Sequence, residues 1–142
     1  MKTNQAGIEL IKKFEGLSLK PYTCSAGKLT IGVGHVILAN EKFTEITEQQ
    51  AEEILKNDLA KFEDIINSSV KVKLTENQFS SLVSFTFNVG GGNFQSSTML
   101  KLINENNLLL AGAEFIKWIY VNKNPMLGIA RRRCAEMGLF YA

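Results

Sequence analysis

The stretch that most restricts this chain is Leu29-Thr30-Ile31-Gly32-Val33-Gly34-His35. Leu29, Ile31 and Val33 alternate with Thr30 and Gly32, and a period of two suits a strand and defeats a helix. Just ahead of it, Ser25-Ala26-Gly27 reads as a three-residue hairpin loop, with Gly27 at the left-handed position such loops need. That loop sets Cys24 opposite Lys28 and Tyr22 opposite Thr30. All four side chains then share one face of the ribbon. Short strands broken by glycines therefore occupy residues 17–38.

The remainder reads as helix. Thr3 can cap a first helix to Phe14, with Ile8, Ile11 and Phe14 on one side and Gly16 as its stop. Thr47-Glu48-Gln49-Gln50 fits a capping box and opens a long helix. Its apolar stripe is Ala51, Ile54, Leu55, Leu59, Phe62, Ile65 and Ile66. Thr75-Glu76-Asn77-Gln78 is a second box, followed by Phe79, Leu82, Val83 and Phe87 at helical spacing. Gly90-Gly91-Gly92 reads as a break, and helices are expected near Ser97–Asn104, Ala111–Tyr120 and Ile129–Phe140. The order implies an α+β fold in one domain spanning residues 1–142. A small β-hairpin lobe (about 17–46) is joined by a helix (about 47–67) to a larger helical lobe (about 68–142).

Composition narrows the function classes. At 142 residues and 45% hydrophobic, the chain can form a core without disulfides or metal staples. No apolar run is long enough to span a bilayer, and residues 1–16 contain no secretory apolar core. The expectation is a soluble protein made in the cytoplasm, with no membrane insertion. Cys24 and Cys134 then read as free thiols, with Cys134 buried in its helix. Two thiols and the single His35 lack any C-x-x-C spacing, so neither a metal nor an organic cofactor is expected. Residues 1–100 carry 10 Lys+Arg against 11 Asp+Glu, whereas residues 101–142 carry 6 against 3. The basic C-terminal third suits a polyanionic partner. Arg131-Arg132-Arg133 stands without a helix-turn-helix signature or an extended basic stripe, so nucleic acid is not the expected partner.

Glu15 is the candidate acid. A helix C-terminus disfavours a carboxylate, which argues that Glu15 is kept for another reason. The apolar neighbours Phe14 and Leu17 favour its neutral, proton-donating form. His35 is expected to be structural, since an oriented imidazole can tie a sheet to a lobe. Gly32 and Gly34 would let a ligand approach the ribbon closely.

The spacing carries a resemblance. Glu15 in Phe14-Glu15-Gly16-Leu17, eight residues, Cys24, five residues and Thr30 in Thr30-Ile31-Gly32-Val33-Gly34-His35 resembles the phage lysozyme (endolysin) family of glycoside hydrolases. So do Leu74-Thr75-Glu76-Asn77-Gln78-Phe79, Phe87-Asn88-Val89-Gly90, Ser96-Ser97-Thr98-Met99-Leu100 and Gly128-Ile129-Ala130-Arg131-Arg132-Arg133. The resemblance implies a lysozyme-like fold and hydrolysis of the β-1,4 bond between N-acetylmuramic acid and N-acetylglucosamine in peptidoglycan, lysing the host cell. It implies Glu15 as general acid, Cys24 at the second catalytic position and Thr30 holding the attacking water. Val36 matches a position lining the sugar site, and Phe87, Asn88 and Ser97 match positions on its other wall. An arginine near residues 131–133 is implied as a partner of the glutamate. The implied partners are peptidoglycan and a holin that releases the monomeric enzyme from the host cytoplasm to the periplasmic wall. Glycosidases ordinarily use two carboxylates, and a thiol of pKa about 8.5 is mostly neutral at pH 7. Cys24 therefore needs a cationic neighbour, for which Lys28 is the candidate. Two rival activities follow from the same residues: a lytic transglycosylase, and a non-catalytic wall-binding module.

Overall fold

The computed structural model describes residues 1–142. They divide into two units, one made of residues 1–10 with 61–142 and the other of residues 11–60.

The unit of residues 11–60 holds the end of helix α1 (Gln5–Glu15), strands β1 (Ser18–Thr23), β2 (Leu29–Gly32) and β3 (His35–Val36), and the start of helix α2 (Glu48–Ser69). The strands form one antiparallel sheet in the order β1-β2-β3. Tyr22 pairs with Thr30 and Thr23 with Leu29, and the register shifts between Ser18 and Tyr22. Pro21, which cannot donate to the ladder, lies in that irregular stretch. The Cys24 amide donates to the Lys28 carbonyl at 2.9 Å and Gly27 has φ +79°, as the three-residue loop requires. β2 stops at Gly32, so Val33 is a buried turn residue rather than the end of a strand. Ile31, Ile46 and Ala51 form the core here, with Leu19, Ile37, Phe43 and Ile54 packed around them.

The other unit contains α3 (Glu76–Val89), α4 (Gly91–Gln95), α5 (Thr98–Asn104), α6 (Leu108–Ala113) and α7 (Leu127–Tyr141). Helix α3 packs along α7. Edge-on ring contacts link Phe115 to Phe85 and Phe140, and Phe85 to Trp118. Both expected capping boxes form. Thr75 Oγ1 accepts from the Gln78 amide while Gln78 Oε1 accepts from the Thr75 amide, and Thr47 and Gln50 do the same.

Four expectations need correction. Asn4, not Thr3, caps α1: its Oδ1 accepts from the Gly7 amide at 3.0 Å, while Thr3 gives its amide and hydroxyl protons to buried Glu63. Of the glycine triplet, only Gly90 (φ +97°) breaks the helix, because Gly91 and Gly92 already begin α4. No continuous helix spans 111–120. α6 gives way to a 3-10 turn at Glu114–Lys117, and Tyr120–Val121 (β4) pairs with Asn124–Pro125 (β5). The i, i+4, i+7 spacing of Ala111, Phe115 and Trp118 is that of an α-helix and so concealed the change to a 3-10 turn after Ala113, and Asn122 (φ 51°) and Lys123 (φ 68°) make the two-residue loop. Cys134 is exposed, because the buried face of α7 belongs to Arg132, Arg133, Glu136 and Phe140. Charged side chains there replaced the apolar pattern that would have marked the face.

Candidate active site

Helix α1 ends at Glu15, and Gly16 (φ +80°) closes it with its amide on the Lys12 carbonyl at 2.9 Å. The half-buried Glu15 carboxyl rests on Gly34, in the turn between β2 and β3. A Cβ at Gly34 would lie 2.9 Å from Glu15 Oε1 and 3.6 Å from its Cδ. Gly34 also holds φ +68°, where a side chain is strained in any case. Its absent side chain is what lets the turn and the carboxyl meet, a closer reason for glycine than room for a ligand.

Cys24 sits half-buried beside the hairpin loop, and Thr30 is buried on β2, opposite Tyr22. The Cys24 thiol is held below its ordinary pKa. The Lys28 backbone N–H is the largest cause, followed by the Thr30 hydroxyl and the Ala26 backbone. The expected source was the Lys28 ammonium. The lowering comes instead from backbone groups of the hairpin loop and from the Thr30 hydroxyl. The Thr30 hydroxyl also reaches the Lys28 carbonyl at 3.0 Å. The hydroxyl oxygen keeps lone pairs that can accept. Val36, on β3, pairs with Thr30 and is exposed.

His35 is buried, with Nδ1 at 2.7 Å from Asp58 and Nε2 at 2.9 Å from Glu41. Burial pulls its pKa down, but the hydrogen bonds and charges of Glu41 and Asp58 together outweigh this and leave it raised. Glu41 is held low by the Leu38 backbone N–H and by His35. The imidazole thus ties β3 to the following loop and to α2, in the structural role expected of it.

Phe87, Asn88 and Ser97 lie in the unit of residues 1–10 and 61–142. Phe87 meets Phe62 edge-on at 5.5 Å, continuing the stripe of α3. Ser97 caps α5: its hydroxyl donates to Phe94 O at 2.7 Å and accepts from the Leu100 amide at 3.1 Å. Exposed Asn88 accepts a hydrogen bond from Arg133 Nη2 through its Oδ1. Asn88 and Arg133 line an open cavity of about 490 Å³ that also includes Trp118, Tyr120, Lys117 and Asn93.

Behind that cavity lies an ion network that the sequence analysis did not single out. Arg133 is fully buried and donates to Glu136 Oε1, to Asn88 and, at 3.0 Å, to Trp118 O. Glu136 Oε2 accepts from Ser84 at 2.5 Å and from Arg132 Nε at 3.3 Å. Burial lowers the Arg133 pKa against the opposing charge of Glu136. The i, i+3 and i, i+4 spacing of Glu136 from the two arginines was the available signal.

A model described as phage lysozyme matches residues 12–136. The endolysin of Acyrthosiphon pisum secondary endosymbiont phage 1 is 41% identical over 144 residues, covering 99% of this chain and 98% of that protein. The endolysin of Bacillus phage PZA is 44% identical over 142 residues, and there the match spans only 55% of the relative's length. A crystal structure of a P22 lysozyme mutant superposes with a TM-score of 0.93 at 36% identity, covering 100% of this chain and 99% of that one.

Proposed function

This chain belongs to the phage lysozyme family, and we propose that it is an endolysin that hydrolyses the β-1,4 bond between N-acetylmuramic acid and N-acetylglucosamine in peptidoglycan. The observation that carries the reading is the Glu15 carboxyl resting on Gly34, in the unit that also holds Cys24 and Thr30. Glu15 donates its proton to the glycosidic oxygen as the bond to the anomeric carbon breaks. A water attacks that carbon from the opposite face and gives its proton to the Cys24 thiolate. Thr30 accepts a hydrogen bond from the same water through its oxygen lone pairs. Inversion at the anomeric carbon follows.

The lowered thiol pKa supports this assignment, since it raises the fraction of thiolate near neutral pH. The family resemblance assigns polymer binding to Val36, Phe87, Asn88 and Ser97. Ser97 acts there chiefly by capping α5, since its hydroxyl proton already goes to Phe94 O. No helix is long and apolar enough to cross a membrane. The family resemblance further implies a monomeric enzyme made in the host cytoplasm and reaching the wall through a holin.

The test is turbidity loss of chloroform-treated Gram-negative cells with analysis of the sugar ends. Hydrolysis yields reducing ends. A 1,6-anhydro end would make the protein a lytic transglycosylase, and binding without cleavage would make it a wall-binding module. Glu15→Gln should lower lysis by roughly 10²–10⁴-fold with the fold retained, because the amide has no acidic proton to give.

A further inference from the structure

We infer that Arg133 is a positioning residue that makes Asn88 a dedicated hydrogen-bond donor, and that this donor reads an amide carbonyl of the wall polymer. The inference rests on the peptidoglycan reading above. A side-chain amide can ordinarily turn either its oxygen or its nitrogen toward a ligand. Asn88 cannot do so freely, because Arg133 has donors only and fixes Oδ1 as the acceptor. Nδ2 then has both protons for a ligand, and no protein group takes them.

The guanidinium is itself immobile. It is fully buried, its Nε donates to Trp118 O at 3.0 Å, its Nη1 to Glu136, and its face lies 5.0 Å from the centre of the Phe85 ring. Glu136 is held in turn by Ser84 and Arg132. A chain of buried contacts thus runs from the interior of α7 to one exposed amide at the rim of the 490 Å³ cavity. A side chain that presents only N–H groups discriminates by chemistry: it rewards a carbonyl oxygen and leaves a donor unmatched. Peptidoglycan has two sources of amide carbonyl, the N-acetyl group of its sugars and the stem peptide.

The first experiment is Asn88→Asp, assayed for KM and kcat on intact wall. The carboxylate keeps the Arg133 contact and loses both donors, so the fold should hold. KM should rise roughly tenfold, the usual scale of one lost hydrogen bond with its partner stranded, while kcat stays within about twofold. Asn88→Gln restores an amide and should recover part of the loss. Arg133→Met frees the Asn88 amide to rotate and should raise KM as well. Adding Asn88→Asp to it should then raise KM by a smaller factor than it does in the wild-type background, since the two act through one contact.

Binding of two altered polymers, measured in a Glu15→Gln background, identifies the carbonyl. Removal of stem peptides by an amidase, or chemical de-N-acetylation, should abolish the Asn88→Asp effect in one arm only. A wild-type protein that cleaves wall while Asn88→Asp leaves KM unchanged overturns the inference. So does an effect that survives in both arms, or full additivity with Arg133→Met. A wild-type protein that leaves every wall intact overturns the peptidoglycan reading first, and this inference with it.

Discussion

Cys24 owes its lowered pKa to the Lys28 backbone and the Thr30 hydroxyl rather than to the Lys28 ammonium, and this separates two variants. The Lys28 backbone N–H lowers the thiol pKa most and the Thr30 hydroxyl next. Lys28→Met keeps the backbone donor and should leave the pH profile of thiol alkylation almost in place. Thr30→Val removes a hydroxyl that stabilises the thiolate, so the profile should move to higher pH and lysis should fall. Rates of iodoacetamide labelling across pH check both, with Cys134 replaced so that only one thiol reacts. Cys24→Ser should lose activity, because serine stays neutral near pH 7, while Cys24→Asp should keep it by restoring a carboxylate. Equal activity of the serine variant and the wild type would remove Cys24 from the reaction. The Glu15–Cys24–Thr30 spacing is written in the sequence. The source of the thiol's low pKa is not, because backbone amides leave no mark on residue identity.

Among the elements, the turn between β2 and β3 holds the tightest constraint. Gly34→Ala puts a methyl group at a backbone φ of +68° and 2.9 Å from Glu15 Oε1. The backbone strain should cost about 1 kcal/mol, read as a small drop in melting temperature. The larger effect should be on lysis: the carboxyl must shift, and a misplacement of this kind can cost about 10²-fold in rate. Wild-type lysis by Gly34→Ala would detach Glu15 position from turnover. The His35 cluster on β3 predicts a pH signature. His35 has a raised pKa when folded, so its contribution is complete below the unfolded value of about 6.5 and fades as pH rises through the folded value. Glu41 has a lowered pKa, so its contribution is complete above about 4.3 and fades as pH falls through the folded value. Melting temperature should therefore be highest between these limits, and His35→Asn should flatten the decline on the alkaline side. Periodicity could announce β2 and its hairpin, since strand patterns are local. It could not announce Asp58 and Glu41 as partners of His35, which stand 23 and 6 positions away.

At the scale of the whole molecule, the buried charges are the feature with the largest energetic consequence. Glu136 is fully buried between Arg132 and Arg133. Glu136→Leu would strand both guanidinium groups, at a cost of about 3–5 kcal/mol. Thermal denaturation should show a fall of about 10 °C or more, and a fall of only a degree or two would mean the arginines find other partners. The same residues show where local pattern stopped being informative. The capping boxes at Thr47 and Thr75, the stop at Gly16, the loop at Gly27 and the α+β order of elements were settled by sequence alone, because each depends on contacts within a few residues. The family-like spacing of Glu15, Cys24 and Thr30 belongs to the same level. Only the tertiary structure decided that Asn4 rather than Thr3 caps α1, that Thr3 goes to Glu63, that Cys134 is exposed, and that Arg132 and Arg133 turn inward onto Glu136. In each case the choice lay between groups of equal local fitness. What separated them was a partner dozens of residues away or the face a helix buries, and neither is encoded in the residues next door.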